Sequence, residues 1–274
     1  MAKNLDVAKL NFFTQKLAKS TSKILLKYFR SQMQVKNKIK DKKNYGVVTK
    51  ADILAEKYII KEILKKYPQS EFIAEESVDP SKAWEGKKVL SRDNLLWVID
   101  PLDGTTNFAS GIGWFSISIG VLYKGKIISG VIYHPVLDEM FSAYEGNGSY
   151  LNYKKIHVSK NEKMKDAVLA TGFYYMRSKK LHREIVRFEK VSNKVRDVRR
   201  FGSAALDIAY TSCGRYDGFF EFGLAPWDVA AGIIIAEEAG ATISNYQNKK
   251  TNIYEKNIVI SNGKIHNNLV KILK

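Results

Sequence analysis

Apolar positions in residues 5–30 recur at helical spacing. Leu10, Phe13, Leu17, Ile24 and Tyr28 share one face and lysines occupy the rest, which predicts a long packing helix. Residues 31–48 read as an extended hairpin, with Val35 and Ile39 on one arm, Val47 and Val48 on the other, and a charged tip at 41–46. Thr49 is an N-cap for a second helix, in which Ala55, Ile59, Ile63 and Tyr67 form a stripe at spacing four before Pro68 ends it. Residues 71–74 are a short strand that runs into Glu75, Glu76 and Ser77, and the polar, irregular run 78–94 is a surface loop or lid. The apolar run 95–99 is a buried strand. It is expected to stop at Asp100, because Pro101 has no N–H to give to a ladder.

After Gly104, Thr105 and Thr106, a good helix start, the pattern changes to alternating strands over 115–121, 127–133 and 140–144, an antiparallel meander. From 168 onward strands and helices alternate. Strands are expected at 168–170, 195–198, 216–221, 241–244 and 258–260, and helices at 178–191, 202–212, 226–239 and 264–273. Pro226 suits a first helical turn, and the small residues after Trp227 predict a close approach of that helix to another element. No linker or internal repeat interrupts the chain, so the parts 1–160 and 161–274 are expected to share one continuous structure.

Composition narrows the function classes. The chain has 274 residues, 45% of them hydrophobic, enough for a sizeable core. A single cysteine, Cys213, excludes an intramolecular disulfide and fits a reducing compartment. With no leader-like segment or membrane-length apolar run, a cytoplasmic location is expected. The net charge is +17, and residues 1–66 hold 17 Lys/Arg against 5 Asp/Glu. Such a face can attract nucleic acid, an anionic membrane or small anions. The segment lacks the interleaved aromatics and glycines of a dedicated RNA-binding module, so nucleic acid is open as a partner but not favoured.

Candidate chemistry lies in the carboxylates. Asp52, Glu75, Asp100, Asp103 and Asp228 all fall at the first turn of a helix or just past a strand. Singly each has an ordinary explanation: capping for Asp52, a solvated turn for Glu75, a dipole partner for Asp228. If the ends converge, they form an acidic pocket that needs cations, because close like charges resist joint ionisation. Oxygen ligands and the lack of a Cys/His set point to Mg2+ or a similar hard ion. Helix-start amides after Asp103 suit a phosphate.

Residues 100–108, Asp-Pro-Leu-Asp-Gly-Thr-Thr-Asn-Phe, resemble the signature of the inositol monophosphatase family. Glu75-Glu76-Ser77, the segment 227–232 and Thr49 with Asp52 resemble its other motifs, in order, so the likeness extends from about 5 to 270. The resemblance implies a layered α-β-α-β-α sandwich and a Mg2+-dependent, Li+-sensitive phosphomonoesterase, commonly dimeric, acting on a phosphorylated polyol or sugar. It implies two to three ions: the first on Glu75, Asp100 and the Leu102 carbonyl, the second on Asp100, Asp103 and Asp228, the third on Glu75 and water. Thr105, backed by Asp52, would orient the attacking water, and the amides of Gly104 and Thr105 would cradle the phosphate. Glu221 would meet a substrate hydroxyl, and Gly202, Ser203 and Ala204 the substrate ring. Since Leu102 acts through its carbonyl, its side chain is expected to be replaceable. Ala74 stands where many members have Gly. Thr106 and Asn107 favour the inositol-phosphate branch over the nucleotide-bisphosphate branch. The alternatives are a fructose-1,6-bisphosphatase of the same family and an RNA- or transcription-associated member that retains phosphatase activity.

Overall fold

The computed structural model describes residues 5–31, 35–38, 46–77, 94–173 and 179–274. The hairpin tip short of Gly46, and the loop at 78–93, lie outside them. The chain opens with α1 (Val7–Tyr28), the paired strands β1 (Val35–Lys38) and β2 (Gly46–Thr49), and α2 (Lys50–Lys66). The first sheet follows: β3 (Glu71–Ala74), β4 (Leu96–Asp103), the short helix α3 (Thr105–Ala109), then β5 (Ser116–Tyr123), β6 (Lys126–His134), β7 (Glu139–Tyr144), β8 (Ser149–Leu151) and β9 (Lys154–Ile156). The second part runs β10 (Val168–Thr171), α4 (Lys179–Ser192), β11 (Asp197–Arg199), α5 (Ala204–Ser212), β12 (Gly218–Phe222), α6 (Pro226–Glu238), β13 (Thr242–Ser244), β14 (Asn257–Ser261) and α7 (His266–Leu273).

The seven strands β3 to β9 lie in sequence order, and the five-stranded sheet has the order β11-β10-β12-β14-β13. Alternation along the strands separates three cores. Trp97 and Ile99 of β4 join Leu10, Leu17, Ile59 and Ile63 under α1 and α2. Val98, between them, points the other way, into the core that holds α5, α6, Phe219 and Ile260. Phe220 and Val259 face a third core with Leu269, Val270 and Leu273 of α7. The layers are therefore helix, sheet, helix, sheet, helix, the expected sandwich, and the middle core draws on both parts of the chain. Among the described residues no helix is long and apolar enough to cross a membrane.

Between Asp228 and its two terminal glutamates, helix α6 is apolar all round because both of its sides are covered. Ile233, Ile234 and Ile235 are all buried, each worth about 2 kcal/mol relative to exposure. Its close approach to the first sheet depends on glycine: a Cβ on Gly130 would stand 2.5 Å from the carbonyl oxygen of Ala231. This is the tight approach that the small residues of 230–232 predict.

Two expectations change. The buried stripe of α1 is Leu10, Thr14, Leu17, Ala18, Thr21 and Leu25, with Phe13, Ile24 and Tyr28 only half-buried. Hydroxyls can be buried here because Thr14 and Thr21 donate to the carbonyls of Leu10 and Leu17, at 2.9 and 2.8 Å. Strand β4 does not stop at Asp100 but continues through Pro101 to Asp103. The register against β5 is irregular between Asp100 and Asp103, so Pro101 sits where no ladder bond is asked of it.

Candidate active site

Strand direction creates the first contact of the site. β3 and β4 are parallel, with Ala74 beside Ile99, so the residues that follow, Glu75 and Asp100, emerge together at the same edge. The Glu75 N–H donates to the Ile99 carbonyl at 3.2 Å, extending the ladder by one bond. The irregular register of β4 then carries Asp103 to the same edge, and α6 delivers Asp228 on its first turn. Each aspartate has a tethered oxygen. Asp100 Oδ1 accepts from the Leu102 N–H at 3.0 Å. Asp103 Oδ2 accepts from Ser203 Oγ at 2.5 Å and from the Ala205 N–H at 2.8 Å. Asp228 Oδ2 accepts from the Ala225 N–H at 2.6 Å. Tethering orients each carboxylate and leaves lone pairs on its other oxygen.

The electrostatics show that these groups feel one another. Burial, then the charges of Glu75, Asp103 and Asp228, push Asp100 well above the usual carboxylate range. Burial followed by Asp103 and Glu75 does the same to Asp228. Burial raises Asp103 to about 6, although the Ser203 and Ala205 donors hold it down. Burial and Asp103 push Glu221 up to about 8, with Arg200 opposing. A group of acids so disfavoured as anions suits a divalent cation, and oxygen-only donors suit a hard one. Among the described residues, no three His, Cys, Asp or Glu side chains are gathered tightly enough to enclose a metal ion as they stand. The donor chemistry and charge nonetheless fit Mg2+.

Thr105 stands beside this group. Gly104 precedes it with φ +94°, a left-handed turn in which a Cβ would also lie 2.9 Å from the Trp114 carbonyl oxygen. The Thr105 hydroxyl lies 3.1 Å from Asp52 Oδ1 and 3.0 Å from the Leu102 carbonyl oxygen. Asp52 is fully buried and does two jobs. Its Oδ2 accepts from the Thr49 N–H at 2.9 Å and from Thr49 Oγ at 2.5 Å, closing a capping box, while Oδ1 faces Thr105. The capping and the chemical explanations of Asp52 therefore coexist.

On the other side, a Cβ on Gly172 would fall on the Glu221 carboxylate, so only glycine leaves room for it. Gly202 lies beside Arg200 and Asn107. Ser203 is fully buried, with its hydroxyl given to Asp103, and Ala204 is buried beside it at the start of α5. The Leu102 side chain is also fully buried, in the core under α1 and α2, so it is less replaceable than its carbonyl role alone implies.

Two residues escape the sequence motifs, Asp207 and Glu56, and one within the motifs, Asn107, has a contact that they did not foretell. Asn107 Nδ2 donates to the carbonyls of Trp114 and Phe201, at 2.8 and 2.7 Å, and ties α3 to the loop before α5. Asp207 is buried within α5, its Oδ1 has no hydrogen-bond partner, and burial and Glu221 raise it well above the usual range. Glu56, buried on α2, holds the turn at Glu76 and Ser77. The one signal for Asp207 and Glu56 is an acid in an otherwise apolar stripe.

Comparison with known proteins gives this arrangement a lineage. The model of the inositol monophosphatase family matches residues 6–274. The fructose-1,6-bisphosphatase/inositol-1-monophosphatase of Thermotoga maritima is 37% identical over 227 residues, covering 83% of this chain and 82% of that protein. The Nus factor SuhB of Escherichia coli is 40% identical over 218 residues, 80% and 79% of the two chains. The crystal structure of the extragenic suppressor protein SuhB from Bartonella henselae superposes with a TM-score of 0.86 at 34% identity, covering 97% of this chain and 98% of that one. With the family model spanning nearly the whole chain and relatives of the same fold beside it, the chain belongs to the inositol monophosphatase family, and it is a phosphoric monoester hydrolase.

Proposed function

We propose that the chain is a Mg2+-dependent phosphatase that hydrolyses inositol monophosphate or a related sugar phosphate, with water as nucleophile. The observation that carries this reading is the mutual field of Glu75, Asp100, Asp103 and Asp228 beside a Thr105 hydroxyl held against Asp52. Glu75, Asp100 and the Leu102 carbonyl would hold one ion, Asp100, Asp103 and Asp228 a second, and Glu75 with water a third. When bound, Mg2+ brings the pKa of its water toward neutrality and offsets charge on the phosphoryl oxygens.

The chain's own residues do the rest. Thr105 has one proton and two acceptors. With the Leu102 carbonyl engaged as a ligand, the Thr105 hydroxyl would pass its proton to Asp52 as its oxygen takes one from the attacking water, and Asp52 would release that proton to solvent after turnover. The water oxygen bonds to phosphorus, the ester P–O bond breaks, and the departing alkoxide is protonated by solvent. The Gly104 and Thr105 amides take phosphoryl oxygens. Glu221, which burial and the charge of Asp103 push up to about 8, would face a substrate hydroxyl. Gly202, Ser203 and Ala204 would border the sugar ring. The two parts, 1–160 and 161–274, act as one unit around this site, and a cytoplasmic homodimer is the expected form.

The test is phosphate release from a panel of phosphomonoesters with Mg2+, with and without Li+. Release from inositol monophosphate, inhibited by Li+, is the expected result. No release from any member by a folded protein would sink the reading, and a marked preference for fructose 1,6-bisphosphate would move it to that alternative. A second reading, association with RNA, draws on the exposed lysines of α1 and α2, among them Lys16, Lys23, Lys57, Lys61 and Lys65, and on the relatives named Nus factor. Filter binding over a salt series tests it, since bulk charge alone gives binding that vanishes at physiological salt.

A further inference from the structure

We propose that Glu56 is a positioning residue that sets Glu75 for metal binding, so that α2 controls both sides of the reaction centre. The inference rests on the metal reading above and adds a residue to it. Glu56 follows Asp52 by four positions, which puts both on the same face of α2. It is 3% exposed, and apart from Asp52 the buried stripe it sits in is apolar: Ala51, Ala55, Ile59 and Ile63. In the middle of a helix it cannot cap, and a buried carboxylate is costly unless it is hydrogen-bonded. Two of its bonds go to the turn after β3. Oε2 accepts from the Glu76 N–H at 2.8 Å, and Oε1 accepts from the Ser77 hydroxyl.

The consequence falls on Glu75. Its own N–H is fixed to the Ile99 carbonyl at 3.2 Å, and the next N–H along the chain is fixed to Glu56. The two peptide groups that flank the Glu75 side chain are thus anchored to different elements, β4 and α2. One turn earlier on the same helix, Asp52 Oδ1 faces Thr105. A single rigid helix therefore relates the carboxylate assigned to the first and third ions to the hydroxyl assigned to the water. Partners that orient a metal ligand without touching the metal commonly account for about 10- to 100-fold in metal affinity.

The experiment is isothermal titration of Mg2+ into the full-length protein, paired with kcat measured at saturating Mg2+. Glu56→Met keeps the volume and removes both acceptors. It is expected to weaken Mg2+ binding by about tenfold while kcat at saturating Mg2+ stays within about threefold of wild type. Glu56→Gln restores an acceptor for the Glu76 N–H and a donor for Ser77, and is expected to bind Mg2+ within about threefold of wild type. Ser77→Ala, which leaves the core of α2 intact, keeps the test available if Glu56→Met does not fold, and is expected to weaken binding by about threefold. Wild-type Mg2+ affinity in both Glu56→Met and Ser77→Ala overturns the proposal, as does a fall in kcat with no change in affinity. Glu75→Gln separates the two levels. If it also binds Mg2+ like wild type, the metal reading itself fails; if it alone weakens binding, only the role of Glu56 fails.

Discussion

Replacing Asp103 with Asn should stabilise the metal-free protein at pH 8 while abolishing its Mg2+-dependent activity. In the folded chain the Asp103 carboxyl is raised from 3.8 to about 6, chiefly by burial. A carboxylate whose folded pKa lies above its unfolded value costs stability once the pH rises through that window. The displacement is worth about 3 kcal/mol at pH 8, about half of that at pH 5, and almost nothing below pH 4. Asn cannot ionise, and its carbonyl oxygen can still accept from Ser203 and Ala205, so the variant escapes this cost. The figure is an upper bound, because Asp100 and Asp228 share the same field and can take up a proton in its place. The lowered pKa of buried His134, about 4, adds its own pH dependence, but equally to both proteins. The comparison therefore uses urea denaturation of wild type and variant in EDTA at pH 5 to 8. With a slope of about 3 kcal/mol per molar urea, the midpoints should differ by as much as ~1 M at pH 8 and converge as the pH falls. Excess Mg2+ should reverse the order, since only the wild-type site keeps its full charge for the ion. A variant no more stable than wild type at pH 8 without metal, or a margin that does not shrink on acidification, would refute the argument that these acids share one buried field.

Two further outcomes follow from the geometry. Thr105→Val should lower kcat by about 10²- to 10³-fold with little change in Mg2+ affinity, because it removes the hydroxyl between Asp52 and water but no proposed ligand; Thr105→Ser should restore most of the rate, and steady-state kinetics at saturating Mg2+ will tell. Gly130→Ala should cost at least about 1–3 kcal/mol and lower the melting temperature by several degrees, since its methyl would press on the Ala231 carbonyl of α6; a differential scanning trace matching wild type would contradict the packing described.

Much of the architecture is legible in the chain because it is written in local periodicity. The stripe at spacing four in α2 needs no partner to be recognised, and the same holds for the meander from β5 to β7. What failed was the end of β4 and the inner face of α1. Pro101 is a strand breaker only where a ladder bond is needed, and the irregular pairing with β5 removes that need. Thr14 and Thr21 give no apolar signal, and their burial is understood only once their hydroxyls are seen bonded within the helix.

For the site, the acids at element ends could be named from residue type and position, and a familiar motif order gave them roles. Whether they meet is a matter of strand direction: parallel β3 and β4 bring Glu75 beside Asp100, whereas an antiparallel pair would send them to opposite edges. Glu56 and Asp207 carried almost no signal, because an acid inside an apolar stripe looks like a mismatch until its partners arrive from a distant segment. The sequence by itself determined the periodic elements, the oxygen-only character of the candidate ligands and the family. The tertiary structure alone decided which carboxylates share a field and which are tethered by neighbouring amides. Hydrogen bonds and Coulomb interactions depend on distances across space that no local pattern encodes.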